Sequence, residues 1–315
     1  SAEDDNTNHG EDISASKPRS TASEVYDQVI ADLSYAEANL PATVALADQG
    51  RATSGAAKGL LAKTYLYQEN WAAAKLKCEE LMNSGNYSLV PNYADVFSSG
   101  QQWGSEVIWS INMVEDLDGH WGEHEGSWLS IWFGDRDMGW GYGFKCPTED
   151  FIQAFEPNDI RLEASVVFDG EMIPGTFGGA PHDFTGGSWN PPTGYMSQKY
   201  LIPDNERPIT ADCNGNLDYI FMRYADLLLI HAEASMELQD EDAAKYSLEL
   251  IRQRAGLSAY PDAATIGSYK ETYLLNHEEL RAVVYHERRV ELGLEHDRFY
   301  DLVRWGDAST VFQNF

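Results

Sequence analysis

Apolar residues recur at intervals of three and four in two separated stretches of the chain, and the long interval between them has no such period. The pattern predicts helices in both flanking blocks and an irregular middle. Thr21-x-x-Glu24 is a capping-box signature, and Val25, Val29, Leu33, Ala36 and Leu40 continue it at helical spacing until Pro41. A second helix is predicted over 54–68 and a third over 71–83, with Asn70 as the N-cap and Gly85 as the stop. Ahead of the first helix, residues 1–20 are polar, acidic and without periodicity, as in a loop or linker.

Within the second and third helices, Leu61, Ala62, Tyr65, Trp71 and Ala74 fall at the spacing of a tetratricopeptide unit. Small side chains at Ala62 and Ala74 let two antiparallel helices approach, while Tyr65 and Trp71 fill the space between them. A second pair is predicted over 221–236 and 241–255. There Ala232 and Ala244 keep the same separation, and Ala244, Leu248, Ile251 and Ala255 form an apolar stripe. Such hairpins bury their faces only against neighbours, so two isolated pairs call for further sequence or for a partner layer of another kind. The closing helix is predicted to open at a capping box of Asn276 and Glu279, with Leu280, Val283 and Val284 beginning its apolar face. That face runs on through Glu287 and Glu291, which is odd for a simple core. These carboxylates, with Arg223, Glu233, Arg289 and Arg298 in or beside the same apolar faces, are read as internal ion pairs that lock helices together.

Residues 87–216 are rich in Gly, Pro, Asp and aromatic residues; a strand is predicted over 106–111, followed by a long irregular segment. Unstructured stretches of this length inside a compact domain are uncommon and usually functional. Trp103, Trp109, Trp121, Trp128, Trp132 and Trp140 crowd six of the nine tryptophans into 38 positions. A sugar presents apolar C–H faces ringed by hydroxyls, so its site needs flat exposed rings beside polar groups. Trp121, Trp128, Trp132, Trp140, Tyr142 and Trp189 supply rings, and Asp135, Arg136 and Asp137 supply hydrogen-bonding groups between them. These nine are the candidate ligand-binding residues. The plainer reading is that the rings pack as a satellite core under the loops. About half of them are assigned that role, Trp103 and Trp109 beside the strand first.

A net charge of −29 sets aside nucleic acid as a partner, because phosphate backbones are bound by neutralising lysines and arginines. No run of about 18 apolar residues is present to span a bilayer as a helix. Cys78, Cys146 and Cys213 stand too far apart for a zinc spacing and are read as small buried hydrophobes. His120-Trp121-Gly122-Glu123-His124 matches the inverted zincin pattern literally, yet the glycines around it oppose the helix that chemistry needs, and a polar loop is the better reading. Asp116, Asp118, Asp135 and Asp137 could give oxygen ligands to a structural calcium ion, but neither segment completes an EF-hand loop, so turn residues are the default and no cofactor is expected. Chance alone brings carboxylates together in a chain with 51 acidic residues, and no nucleophile elbow, Walker loop or complete dinucleotide fingerprint argues for an enzyme.

Several separated segments carry a resemblance to a known family. They are Arg19-Ser20-Thr21 leading into residues 25–33, then Arg51-Ala52-Thr53-Ser54-Gly55-Ala56-Ala57, Pro147-Thr148 with Phe155, Asp159 and Arg161, and Lys199-Tyr200. The long ones are Arg223-Tyr224-Ala225-Asp226-Leu227-Leu228-Leu229, Glu287-Arg288-Arg289-Val290-Glu291-Leu292 and Arg298-Phe299-Tyr300-Asp301-Leu302-Val303-Arg304-Trp305. In this order they resemble the RagB/SusD (SusD-like) family. The resemblance implies a mostly α fold in which tetratricopeptide-type helix pairs support a large irregular, aromatic and Gly-rich loop region with little β structure. It implies one domain over 21–315, divided into helical 21–86, ligand-binding 87–216 and helical 217–315. It further implies a lipid-anchored, cell-surface protein of Gram-negative outer membranes, which binds oligosaccharide or polysaccharide without catalysis and passes it to a SusC-like TonB-dependent transporter. The alternative is a module of the same uptake system that binds a peptide or protein partner. Against the family pattern, the lipid-bearing cysteine and helices expected before Arg19 and the tail expected after Phe315 are missing, which implies a partial chain. Leu294-Glu295-His296-Asp297 also stands where a Glu-Gly pair is common.

Overall fold

A computed structural model describes residues 19–114, 126–134, 141–168, 171–173, 182–183, 192–202, 215–273 and 277–314. Most of the predicted acidic linker lies outside them. The fold is mostly helical with little sheet, as the pattern and the resemblance both predict. Helix α1 (Ala22–Asn39) opens with the predicted box: the Glu24 carboxylate accepts the Thr21 backbone N–H at 2.8 Å, and Thr21 Oγ1 accepts the Glu24 N–H at 3.3 Å. None of its residues is fully buried, because it packs on the rest of the molecule along one side only.

Helices α2 (Ser54–Tyr67) and α3 (Trp71–Met82) form the first hairpin, and α7 (Tyr224–Glu237) and α8 (Glu241–Arg254) the second. Both turn in the same way. Glu69 and Gln239 take left-handed backbone angles (φ 56° and 63°), and the next residue, Asn70 or Asp240, caps the following helix through its side chain. Ala62, Ala74, Ala232 and Ala244 have no exposed surface, which is the close helix approach that their size permits. The third layer that two hairpins need is partly supplied by α3 packing on α7 and by α10 (Glu279–Glu291) packing on α7, α8 and α9 (Ala263–Tyr273).

Two expectations need correction. Residues 221–223 belong to strand β6 (Tyr219–Arg223), not to the helix, which begins at Tyr224. Strand β6 pairs antiparallel with β1 (Val107–Ile111), and the Tyr224 N–H donates to the Glu106 carbonyl at 2.7 Å, so sheet pairing outcompetes the helical pattern just before the hairpin. Helix α10 starts at Glu279 with Glu278 at its N-cap and no side-chain cap bond. The predicted box would start it two residues earlier, and Asn276 lies outside the described residues.

The middle region has a core of its own. Short helix α4 (Leu129–Phe133) sends Leu129 and Phe133 inward against Tyr93, Phe97, Tyr200 and Leu217. Helices α5 (Glu149–Ile152) and α6 (Arg161–Ser165) follow, then β2 (Val166–Phe168) paired with β5 (Tyr195–Ser197), and β3 (Met172–Ile173) paired with β4 (His182–Asp183). Helices α11 (Arg298–Arg304) and α12 (Ala308–Gln313) complete the described elements.

Candidate functional site

Spacing along α4 decides which rings reach solvent. Residues four apart share a helix face, so Trp128 at the N-cap and Trp132 lie together, their ring centroids 6.5 Å apart and their planes tilted by 41°. Leu129, Ile131 and Phe133 point the other way and are buried, which leaves Trp132 43% exposed. The chain then returns alongside this helix: the Tyr142 N–H donates to the Ile131 carbonyl at 2.9 Å and the Phe144 N–H to the Trp132 carbonyl at 2.7 Å. Tyr142 and Phe144, two residues apart, stack at 5.8 Å within 17° of parallel and are 39% and 52% exposed. Two ring pairs, Trp128 with Trp132 and Tyr142 with Phe144, therefore lie on adjoining hydrogen-bonded segments as an aromatic shelf.

Lys145 ties this shelf to the helical block. Its ammonium donates to the Leu294 carbonyl at 3.0 Å, meets His296 Nδ1 at 2.7 Å and lies 4.7 Å from the Phe133 ring centre. Burial lowers Lys145 to about 8. Burial, with the neighbouring Lys145 charge, lowers His296 to about 4, so at neutral pH a neutral imidazole faces the ammonium.

The second organised cluster is ionic and dry. Glu291 is enclosed by Arg161 at 3.1 Å, Arg223 at 2.6 Å and Arg254. Arg223 also donates to Glu106 and Glu295, each at 2.7 Å, and Lys199 reaches Glu295 at 2.7 Å. Glu287 accepts from Arg161 at 2.6 Å and from Arg252 at 3.0 Å. Burial alone would raise the Glu291 carboxyl, yet the three guanidiniums hold it far below the ordinary carboxylate range. A parallel cluster joins Asp226 to Lys63 and Arg288, and Glu233 to Arg304 and the Trp305 indole N–H. Arg289 pairs with Asp150 at the rim, and the Arg298 guanidinium lies 5.9 Å from the Trp305 ring. Carboxylates clasped in this way tie the helices together from within.

Of the candidate binding residues, the structure places Trp128 and Trp132 in ring contact and Tyr142 on the adjoining segment. Trp121, Asp135, Arg136, Asp137, Trp140 and Trp189 lie outside the described residues, as do Asp116, Asp118, His120, Glu123, His124 and Cys213. Among the described residues, no group of three or more His, Cys, Asp or Glu could hold a metal ion. Cys78 is buried, and the half-buried Cys146 thiol donates to the Gly143 carbonyl. Sequence reasoning missed Phe144, although alternation from Tyr142 would have placed it on the same side. It also missed Lys145, for which no local signal exists.

Known proteins share this architecture. The pattern described as "SusD family" matches residues 105–315, and another, described as "Starch-binding associating with outer membrane", matches residues 2–66. SusD-like protein P25 of Formosa agariphila is 27% identical over an alignment 325 residues long, which covers 92% of this chain and 56% of that protein. A solved structure named as a laminarin binding SusD-like protein superposes with a TM-score of 0.75 at 27% identity, covering 93% of this chain and 63% of the other. Surface glycan-binding protein A from Bacteroides fluxus superposes with a TM-score of 0.72 at 25% identity, over 92% of this chain and 61% of its own. This chain therefore spans less than two thirds of the length of each of these relatives.

Proposed function

The chain belongs to the SusD family, and on that premise we propose that it binds oligosaccharide at the aromatic shelf without catalysis. The observation that carries this reading is the exposed indole of Trp132, held beside Trp128, Tyr142 and Phe144 on a hydrogen-bonded scaffold. Flat rings with apolar faces suit the C–H faces of a sugar, and the indole and phenol add hydrogen-bonding edges. A laminarin-binding relative with the same fold supports a β-glucan as the first ligand to try. In the whole protein, we further propose, the shelf collects glycan at the cell surface of a lipid-anchored protein and delivers it to a SusC-like TonB-dependent transporter.

Isothermal titration calorimetry of the folded chain against laminarin-type, starch, plant and host-type oligosaccharides tests the reading. Saturable binding with Kd between roughly millimolar and micromolar (about −4 to −8 kcal/mol) is expected, weakened at least tenfold in Trp132→Ala. Silence across the panel from protein shown to be folded overturns it. The second reading, capture of a peptide or protein partner, draws on the exposed Phe299, Tyr300, Val303 and Phe312 of α11 and α12, beside an apolar cavity of about 450 Å3. A chain silent towards sugars that binds peptides would favour it.

A further inference from the structure

Two tryptophans expected to be structural line a separate cavity. The loop after α1, the turn after α3 and the approach to β1 enclose about 200 Å3, walled by the rings of Tyr87, Trp103 and Trp109 and by the polar side chains of Gln49, Arg51 and Asn86. We propose that this cavity is a second carbohydrate subsite, distinct from the shelf, that takes a single neutral sugar ring. The proposal rests on the glycan-binding reading for its ligand class, but on different residues.

Size sets the first limit. Pockets for drug-sized ligands run to roughly 300–1,000 Å3, so a space of about 200 Å3 suits one ring and not a chain of them. Its lining combines flat apolar faces with amide and guanidinium donors, the same pairing of groups that a pyranose presents. Trp103 and Trp109 are both only half-buried, so neither is a simple core residue. Phe221 backs Trp109 at 4.9 Å between ring centres and steadies it. Trp103 holds a left-handed backbone (φ 64°), which is costly for so bulky a residue. Its turn is fixed on both sides, by the Gly104 N–H donating to the Gln101 carbonyl at 2.7 Å and by the Gln102 side-chain amide donating to the Asn216 carbonyl. Backbone strain maintained by its surroundings concentrates where a side chain must be aimed.

Gly50 lines the cavity, and Gly55 packs behind the Tyr87 ring. A Cβ on Gly55 would fall 2.2 Å from the Tyr87 hydroxyl, and one on Gly50 would fall 1.7 Å from Asn112 Nδ2. Only glycine at those positions admits the Tyr87 ring and the loop beside it. Charge then selects among sugars. Arg51 is already offset by Asp48 at 2.9 Å, and the chain as a whole carries −29, so uronates and sulfated rings gain nothing here.

The test is a nuclear magnetic resonance titration of the chain, isotope-labelled at its tryptophan indoles, with laminarihexaose and then with glucose, xylose, galactose and mannose at tens of millimolar. Saturable shifts of the Trp103 and Trp109 indoles with at least one sugar are expected. Trp103→Gly suits the left-handed backbone and removes the ring, and should weaken the Trp109 response at least tenfold while leaving any Trp132 response intact; Trp109→Phe serves as the second variant should the first not fold. No shift at Trp103 or Trp109 with any of these sugars overturns the proposal, whatever Trp132 does. An undiminished Trp109 response in folded Trp103→Gly overturns it as well. Shifts at Trp103 and Trp109 with Trp132 silent uphold it and overturn the shelf reading instead.

Discussion

Glu291 on α10 and Trp132 on α4 both sit against their solvent preference: the carboxylate has 0% exposure, the indole 43%. Around Glu291 the mismatch is answered from within, by Arg161, Arg223 and Arg254. Around Trp132 the backbone is fully bonded while the ring faces outward beside Tyr142 and Phe144. A buried charge with all its partners inside marks a place where the fold is fixed. An exposed ring on a hydrogen-bonded support is, on our proposal, where a ligand from outside is received.

The sharpest way to break this comparison is Arg223→Ala. It strips Glu106, Glu291 and Glu295 of a common partner in a dry interior, and should cost about 3–5 kcal/mol. Thermal denaturation should show a large fall in Tm, with sugar affinity unchanged in whatever fraction stays folded. An unchanged Tm would remove the ionic cluster from the account of stability.

Acid acts on the boundary between the two regions. His296 titrates at about 4 in the folded chain against an ordinary 6.5, so within that window the unfolded chain takes up a proton that the folded one refuses. Stability therefore falls as pH drops through the window, by about 1–3 kcal/mol after screening. Glu291, whose folded value is lowered, adds a further loss below 4.5. Melting temperatures recorded from neutral pH downward check this, and His296→Gln should flatten the upper part of the curve.

The smallest effect sharpens the contrast most. Trp132→Ala should move stability by no more than about 0.5 kcal/mol even though it weakens sugar binding. A larger drop in denaturant midpoint would make the ring a packing residue after all.

What could be read from the sequence follows the range of the interactions. The capping box at Thr21, the alanines at 62, 74, 232 and 244 and the cap Asn70 act within one or two turns, and local pattern reveals them. The partners of Arg223 do not: Glu106 lies 117 residues away and Glu295 lies 72 away, and nothing near either announces the meeting. Glu295 in particular stands in a segment that reads only as a departure from the family's Glu-Gly pair, yet it holds both Arg223 and Lys199. The end of strand β6 reads as helix in the sequence, because an apolar run entering a helix looks like more helix until its β1 partner is in place. At the shelf, the crowding of tryptophans was legible, but which ring faces outward depended on the return of the chain past α4.

The long reach of that ionic cluster also bears on how the chain is made. Synthesis proceeds from the N-terminus at roughly 5–20 residues per second, and Glu295 follows Arg223 by 72 residues. Arg223 therefore waits for about 4–14 s before one of its carboxylates has been polymerised. Until then the second helix hairpin can coil and pair, but the clasp between α10, β6 and β1 cannot close. A truncation that spares both hairpins but removes Glu291 and Glu295 would therefore leave Arg223 with only Glu106 among its carboxylate partners.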